Sequence, residues 1–74
     1  MNSKRRKQVR LIIDELRAIT ELLEEVGSEE EEALFSTPEN LQNTDRYLQT
    51  ETNVEVFNDL IDNINTAIDE LECM

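Results

Sequence analysis

The chain has no histidine and no tryptophan, and it has only one cysteine, one glycine and one proline among its 74 residues. Without histidine it lacks the commonest general base and the usual nitrogen ligand of zinc. Its one cysteine, Cys73, cannot form an intramolecular disulfide and has no histidine to generate a thiolate. One glycine is too few for a phosphate-binding loop, and no stretch matches a calcium-binding loop. We therefore expect no enzyme activity, no metal and no other cofactor.

Long apolar runs are also absent. No stretch approaches the roughly 18 apolar residues of a membrane span, and the basic N-terminal end lacks the apolar region of a signal peptide. We therefore expect a soluble cytoplasmic protein. Seventy-four residues fit one small domain, whose core alone rarely supplies more than about 3–5 kcal/mol. We therefore expect a homo-oligomer, most simply a dimer, whose interface adds to the stability of this small core.

Positive charge is scarce after the first ten residues. The net charge is −11, and five of the seven basic residues are Lys4, Arg5, Arg6, Lys7 and Arg10. The rest of the chain carries all eighteen carboxylates. Such a polyanion repels nucleic acid and membrane surfaces, so DNA binding by the basic end is the least favoured function.

The chain does contain two heptad patterns, one on each side of a polar middle. Steps of three and four residues alternate, which places each set on one side of an α-helix. We expect the two sets to form the core between two helices. They are Val9, Ile12, Leu16, Ile19, Leu23 and Val26 in the first helix, and Val54, Phe57, Ile61, Ile64, Ile68 and Leu71 in the second.

Capping signals give the approximate helix bounds within a single domain, 1–74. The first helix is expected at about 4–35, the connection at 36–43 and the second helix at about 44–72. Ser3 is the expected N-cap of the first helix, and Asn43 or Thr44 that of the second. Two long helices with a short connection form an antiparallel αα-hairpin, so the predicted fold is all-α and coiled-coil-like.

Two local signals lie between the heptad patterns. The sequence at 37–39, Thr-Pro-Glu, has the form of an N-cap, a first-position proline and a first-turn acid, and it predicts one helical turn in the connection. Gly27 gives an alternative, a break in the first helix, because Ser28 and Glu31 match the S-x-x-E capping box. We favour an unbroken helix, since the apolar phase continues past the glycine.

A second, shorter apolar set runs beside each heptad pattern. A two-stranded coiled coil needs only its core positions, whereas a helix inside a bundle needs about three apolar positions in seven. We expect this assembly surface to pack two hairpins into a four-helix-bundle dimer, with a heterologous partner as the alternative. Its members are Ile13, Leu22, Leu34, Leu60 and Ala67.

Charges near the two chain ends favour the antiparallel arrangement. Each cluster lies at the unfavourable end of its own helix dipole, and pairing across the hairpin offsets that penalty. Exposed pairs contribute only about 0–1 kcal/mol each, so they select an orientation more than they stabilise it. The expected partners are Lys4, Arg6, Lys7 and Arg10 on the first helix and Asp62, Asp69, Glu70 and Glu72 on the second.

Four consecutive glutamates, Glu29, Glu30, Glu31 and Glu32, lie just before the connection. Such a run is usually a solvated helix face. On a narrow rod, fixed carboxylates can also imitate a nucleic-acid backbone and occupy the basic groove of an enzyme. This acidic surface supports an alternative function, a nucleic-acid mimic that inhibits a host nucleic-acid or defence enzyme.

The segment 37–47, TPENLQNTDRY, resembles a short pattern in small helical-hairpin proteins of bacteriophages and Gram-positive bacteria. In those proteins a proline-glutamate-asparagine-leucine-glutamine stretch also lies between two helices, and the similarity extends over nearly the whole chain. The resemblance implies a helical hairpin in a phage or prophage setting, hence in the cytoplasm of a bacterial host. It implies no activity and no functional residues, and Gly27 departs from the pattern.

These features together predict a non-catalytic helical protein-interaction or oligomerisation module, encoded by a phage or another mobile element. The expected partners are a second copy of the chain and a further protein.

Replacing Leu16 by aspartate tests the hairpin. An unpaired charge in the core is among the most destabilising changes in a small domain. We expect Leu16→Asp to remove the roughly 3–5 kcal/mol that such a core supplies and to abolish the cooperative thermal transition followed by circular dichroism. A retained cooperative transition would contradict the hairpin.

Overall fold

The computed structural model describes all 74 residues as a hairpin of two long helices. Helix α1 comprises Ser3–Phe35, a single 3₁₀ turn comprises Glu39–Leu41, and helix α2 comprises Asp45–Glu72. The Cα atoms extend over 59 × 15 × 13 Å, so the molecule is a narrow rod. The predicted all-helical hairpin is confirmed, and the helix ends lie within one residue of their expected positions.

Local hydrogen bonds fix the helix ends. Asn2, rather than the expected Ser3, is the N-cap of α1, because its side-chain oxygen accepts a bond from the Arg5 N–H at 2.9 Å. Of the two candidates for α2, Thr44 is the N-cap and accepts from the Tyr47 N–H at 3.2 Å. The Thr37 hydroxyl donates to the Ala33 carbonyl at 2.9 Å and does not cap the 3₁₀ turn. Each cap satisfies a backbone group that the helix itself leaves unpaired.

Helix α1 continues through Gly27, so the alternative break is wrong. A Cβ atom at this position would lie 3.3 Å from the Cβ of Phe57, which is tighter than ordinary van der Waals contact. Glycine costs a helix about 1 kcal/mol relative to alanine, but here it lets a bulky aromatic side chain lie directly against the α1 backbone. Its role is to provide space.

We call the strip of side chains that packs between the helices the seam. On α1 it contains Val9, Ile13, Leu16, Thr20, Leu23, Gly27, Glu30 and Leu34, all buried or half-buried. Val9, Leu16 and Leu23 belong to the predicted core. The prediction is wrong for Ile12, Ile19 and Val26, which are 47%, 47% and 49% exposed. The observed seam is therefore shifted by one residue at every second position.

Small residues explain the shift. The two helices share only a narrow strip, and the observed phase places Thr20 and Gly27 in it, where short side chains allow a close approach. Thr20 is only 6% exposed, but its hydroxyl donates to the Leu16 carbonyl at 2.7 Å. That bond avoids the penalty of burying an unpaired polar group. The predicted phase would have directed larger isoleucine and valine side chains at α2.

On α2 the seam keeps the predicted heptad positions along the whole helix. All six predicted core residues of this helix, Val54, Phe57, Ile61, Ile64, Ile68 and Leu71, are buried or half-buried. The most deeply buried aliphatic side chains are Ile13 and Ile68, both nearer the chain termini than the connection. Near the connection the seam is more polar, and the Asn53 amide donates to a Glu30 carboxylate oxygen at 3.0 Å. The aliphatic packing is thus concentrated in the half of the rod that contains the termini.

Charges pair less between the helices than expected. Arg17 and Glu72 form the only ion pair within 4.0 Å, and both side chains are about half exposed. None of the expected partners Lys4, Arg6, Lys7 and Arg10 forms such a pair with α2. Long exposed side chains gain little from pairing because water solvates them well and holding them still costs entropy.

A leucine at position 27 tests the close approach. We expect Gly27→Leu to destabilise the hairpin by about 1–3 kcal/mol, because the new side chain cannot fit beside Phe57. The matched control is Ser28→Leu, which adds the same side chain at the next, exposed position and should change stability by less than about 0.5 kcal/mol. Urea titrations followed by circular dichroism measure both. Equal stability of the two variants would contradict the packing role of Gly27.

Candidate functional site

The hairpin has two clefts, one at each end of the rod. The cleft beside the chain termini has a volume of about 250 Å³ and is lined mainly by apolar side chains, including Val9, Ile13 and Leu71. The cleft beside the connection has a volume of about 520 Å³ and is lined mainly by polar residues such as Thr37, Thr44 and Thr50. No three acidic or thiol side chains are grouped closely enough to hold a metal ion. The broad sides of the rod therefore offer more extensive candidate surfaces than its clefts.

The shifted seam leaves a stripe of exposed aliphatic side chains on α1. Ile12, Ile19, Val26 and Ala33 follow one another at intervals of seven, and Leu22 lies beside them with 62% of its surface exposed. Helix α2 has a similar but shorter stripe, in which Val56 and Leu60 are exposed and Ala67 is half-buried. None of these residues is fully covered by the hairpin itself.

The two stripes lie on the same broad side of the rod. Successive residues of a helix point about 100° apart. Each stripe therefore lies about a quarter turn around its helix from the seam. Viewed from the N terminus of each helix, the two stripes are displaced in the same rotational direction. Because the helices are antiparallel, equal displacements about opposite axes point to the same side. We call this side the apolar face; its residues are Ile12, Ile19, Leu22, Val26, Ala33, Val56, Leu60 and Ala67.

The opposite broad side is polar apart from Leu48, which lies near the connection and is 51% exposed. By the same helical geometry it contains Arg17, Glu21, Glu24, Ser28, Glu51, Glu55, Asn58, Asp62, Asn65 and Asp69, and all of them are exposed. We call this side the polar face. The Arg17–Glu72 pair also lies here. The hairpin is therefore amphipathic across its thickness, with aliphatic groups on one broad side and mostly carboxylates and amides on the other.

The predicted assembly surface is only partly where the sequence placed it. Leu22 and Leu60 are exposed on the apolar face, and Ala67 lies at its edge. Ile13 is only 7% exposed and Leu34 is half-buried, both in the seam, so their assignment is corrected. The cause is the shift of the α1 seam, which exchanged Ile13 for Ile12. The same shift explains why Ile12, Ile19 and Val26 were missed as surface residues.

The four consecutive glutamates do not form a single surface. Successive residues of a helix point about 100° apart, and the structure follows this rule. Glu29, Glu31 and Glu32 are exposed, whereas Glu30 is half-buried and accepts the hydrogen bond from Asn53. All four glutamates lie near the connection, so they concentrate negative charge around the C-terminal end of α1.

No helix of the chain combines the length and the apolar character needed to cross a membrane. No protein-family model matches the chain, and neither a curated protein nor a solved structure does. The resemblance to small phage and Gram-positive hairpin proteins therefore stays a prediction. The candidate site, the apolar face, depends on geometry and exposure alone.

Proposed function

We propose that this chain is a non-catalytic helical protein-interaction module, an accessory protein of a phage or another mobile element that acts in the bacterial cytoplasm. It binds a helical partner through the apolar face. The observation that supports this function most directly is the contrast between the two broad sides. Aliphatic side chains from both helices are exposed along one side, whereas the other side exposes only Leu48, near the connection.

The small core of the hairpin gives the interaction its energetic basis. Three of the 74 residues are buried, namely Ile13, Thr20 and Ile68. Covering a large aliphatic side chain contributes about 1.5–3 kcal/mol relative to leaving it exposed. Contiguous exposed apolar patches are uncommon on monomeric proteins and mark interaction surfaces. A partner on the apolar face would thus supply burial that the isolated hairpin lacks.

The shape of the apolar face favours a helical partner. Its α1 stripe repeats every seven residues, from Ile12 to Ala33, which is the spacing at which a second helix interdigitates with the first. The aliphatic stripe is flanked by exposed polar side chains, since Glu15 and Glu29 share the heptad position of Leu22, as in an amphipathic helix interface. An amphipathic helix that lays its own apolar side on this stripe satisfies both features.

A pair of aspartates on the apolar face tests this function. We expect Ile19→Asp/Leu60→Asp to abolish association of the chain, whether with itself or with a host protein, because each new carboxylate would be buried without a partner. Light scattering coupled to size exclusion reports self-association, and capture from host lysate reports other partners. Circular dichroism checks that the helices remain.

The matched control is Ser28→Asp/Asn58→Asp, which adds the same two charges on the polar face. This variant should associate like the unmodified chain. The proposal fails if association survives aspartates on the apolar face, or if the unmodified chain stays monomeric and captures nothing.

The polar face favours one second candidate, an acidic nucleic-acid mimic that inhibits a host enzyme. Its carboxylates, Glu21, Glu24, Glu51, Glu55, Asp62 and Asp69, are exposed along a rod 59 Å long. A row of fixed negative charges without intervening aliphatic groups suits a basic groove. The same face would then bind the enzyme while the apolar face served assembly.

The salt dependence of binding distinguishes the interaction module from the nucleic-acid mimic. Capture through the carboxylates should weaken by tenfold or more between about 50 and 300 mM salt, because screening shortens the range of the attraction. Capture through the apolar face should change little over that range. Glu24→Gln/Glu55→Gln should weaken binding only in the first case, and retained binding by this variant at high salt would exclude the mimic.

A further inference from the structure

We infer that the occupant of the apolar face is a second copy of this chain in antiparallel orientation. The two copies form a twofold-symmetric four-helix bundle with their connections at opposite ends. This inference rests on the proposed function, since it names the partner of the same face. It is carried by the distribution of charge along the rod, by the spacing of the α1 stripe and by the size of the face.

Charge differs strongly between the two ends of the rod. The end with the connection, residues 29–51, contains seven carboxylates and one basic residue, Arg46. The other end contains the five basic residues at 4–10, together with the three acidic residues Asp69, Glu70 and Glu72. One end is thus strongly negative, and the other is close to neutral with a basic start of α1.

Two hairpins can stack face to face with twofold symmetry in two ways. An axis along the rod places both connections at one end and brings two strongly negative ends together. An axis across the rod places each negative end beside the basic start of the other copy's α1. Like charges at a few ångströms repel even near a protein surface, so the second arrangement is favoured.

The spacing of the apolar stripe fits the second arrangement. An axis across the rod stacks α1 on the antiparallel α1 of the second copy. Ile12, Ile19, Val26 and Ala33 are each seven residues apart, so the stripe keeps its spacing when its direction is reversed. When Ile12 pairs with Ala33 of the other copy, the basic turns at 4–10 lie level with residues 35–41 at the negative connection end of that copy. Such a surface is complementary to itself, as a twofold interface requires.

The size of the apolar face also suits a second copy. The Cα atoms extend over 59 × 15 Å on this broad side, an outline comparable with the roughly 800 Å² per partner of a stable protein interface, and the aliphatic stripe from Ile12 to Ala33 occupies about 32 Å of that length at about 1.5 Å per residue. A second hairpin has the same outline and covers the face from end to end. The exposed aliphatic groups of both helices are then buried in one step.

A distance measurement between spin labels tests the partner and its orientation together. Cys73 is the only cysteine, is exposed and follows the last turn of α2. In the antiparallel dimer two labelled Cys73 side chains lie towards opposite ends of the bundle, about 35 Å apart, because pairing Ile12 with Ala33 separates them by about 23 residues at about 1.5 Å per residue. With the connections together they lie at one end, within about 20 Å, two helix diameters.

The control label is placed at the middle of α2 in Cys73→Ser/Asn58→Cys. Both orientations place these labels on the two outer polar faces at similar levels along the rod, about 20–30 Å apart across two helix layers, so this variant reports whether a second copy is present at all. We expect coupled spins at both positions, with the long distance at Cys73.

A short distance at Cys73 overturns the antiparallel orientation. Absence of coupling at Asn58→Cys, with a monomeric mass, overturns the second copy as occupant. Neither result overturns the proposed function, which fails only if no association of any kind depends on Ile19 and Leu60.

Discussion

The contact between Gly27 and Phe57 is the constraint on which the rest of the structure depends. A Cβ on Gly27 would be only 3.3 Å from that of Phe57, so this glycine must face α2 and thereby fixes the rotation of α1 about its axis. Positions at heptad spacing from it, Thr20 and Ile13, turn inward with it. Their neighbours Ile12, Ile19 and Val26 turn aside and form the apolar face. One close approach thus decides which aliphatic residues are core and which are surface.

Much of the fold follows from local sequence signals, whereas the phase of α1 does not. Periodicity and caps are sufficient for two helices and their ends, because both act within a few residues. On α1, however, two heptad phases share Val9, Leu16 and Leu23 and differ at every second position. Hydrophobicity favours the phase with Ile19 and Val26, and the choice of Thr20 and Gly27 depends on a contact with the distant Phe57. Three of the eight residues of the apolar face, Ile12, Ile19 and Val26, were therefore assigned to the core.

The difference between the two broad sides also limits how the chain can assemble. A partner can gain apolar burial on the apolar face, while the polar face offers exposed carboxylates that repel a further layer at moderate salt. A twofold contact on one side therefore closes on itself and leaves no matching surface for continued growth into a fibre. The high negative charge of the chain, −11 in total, is consistent with this role of keeping assembled particles apart.

The uneven seam has a consequence for how the hairpin forms. Its buried isoleucines lie far from the connection, and the half beside the connection contains Gly27, Glu30 and Asn53. Arg17 and Glu72, which pair in the aliphatic half, are 55 positions apart in the chain. The entropy of closing a long loop must therefore be overcome before the strongest contacts form. Contacts that form first beside the connection are therefore weaker than those that follow near the chain termini.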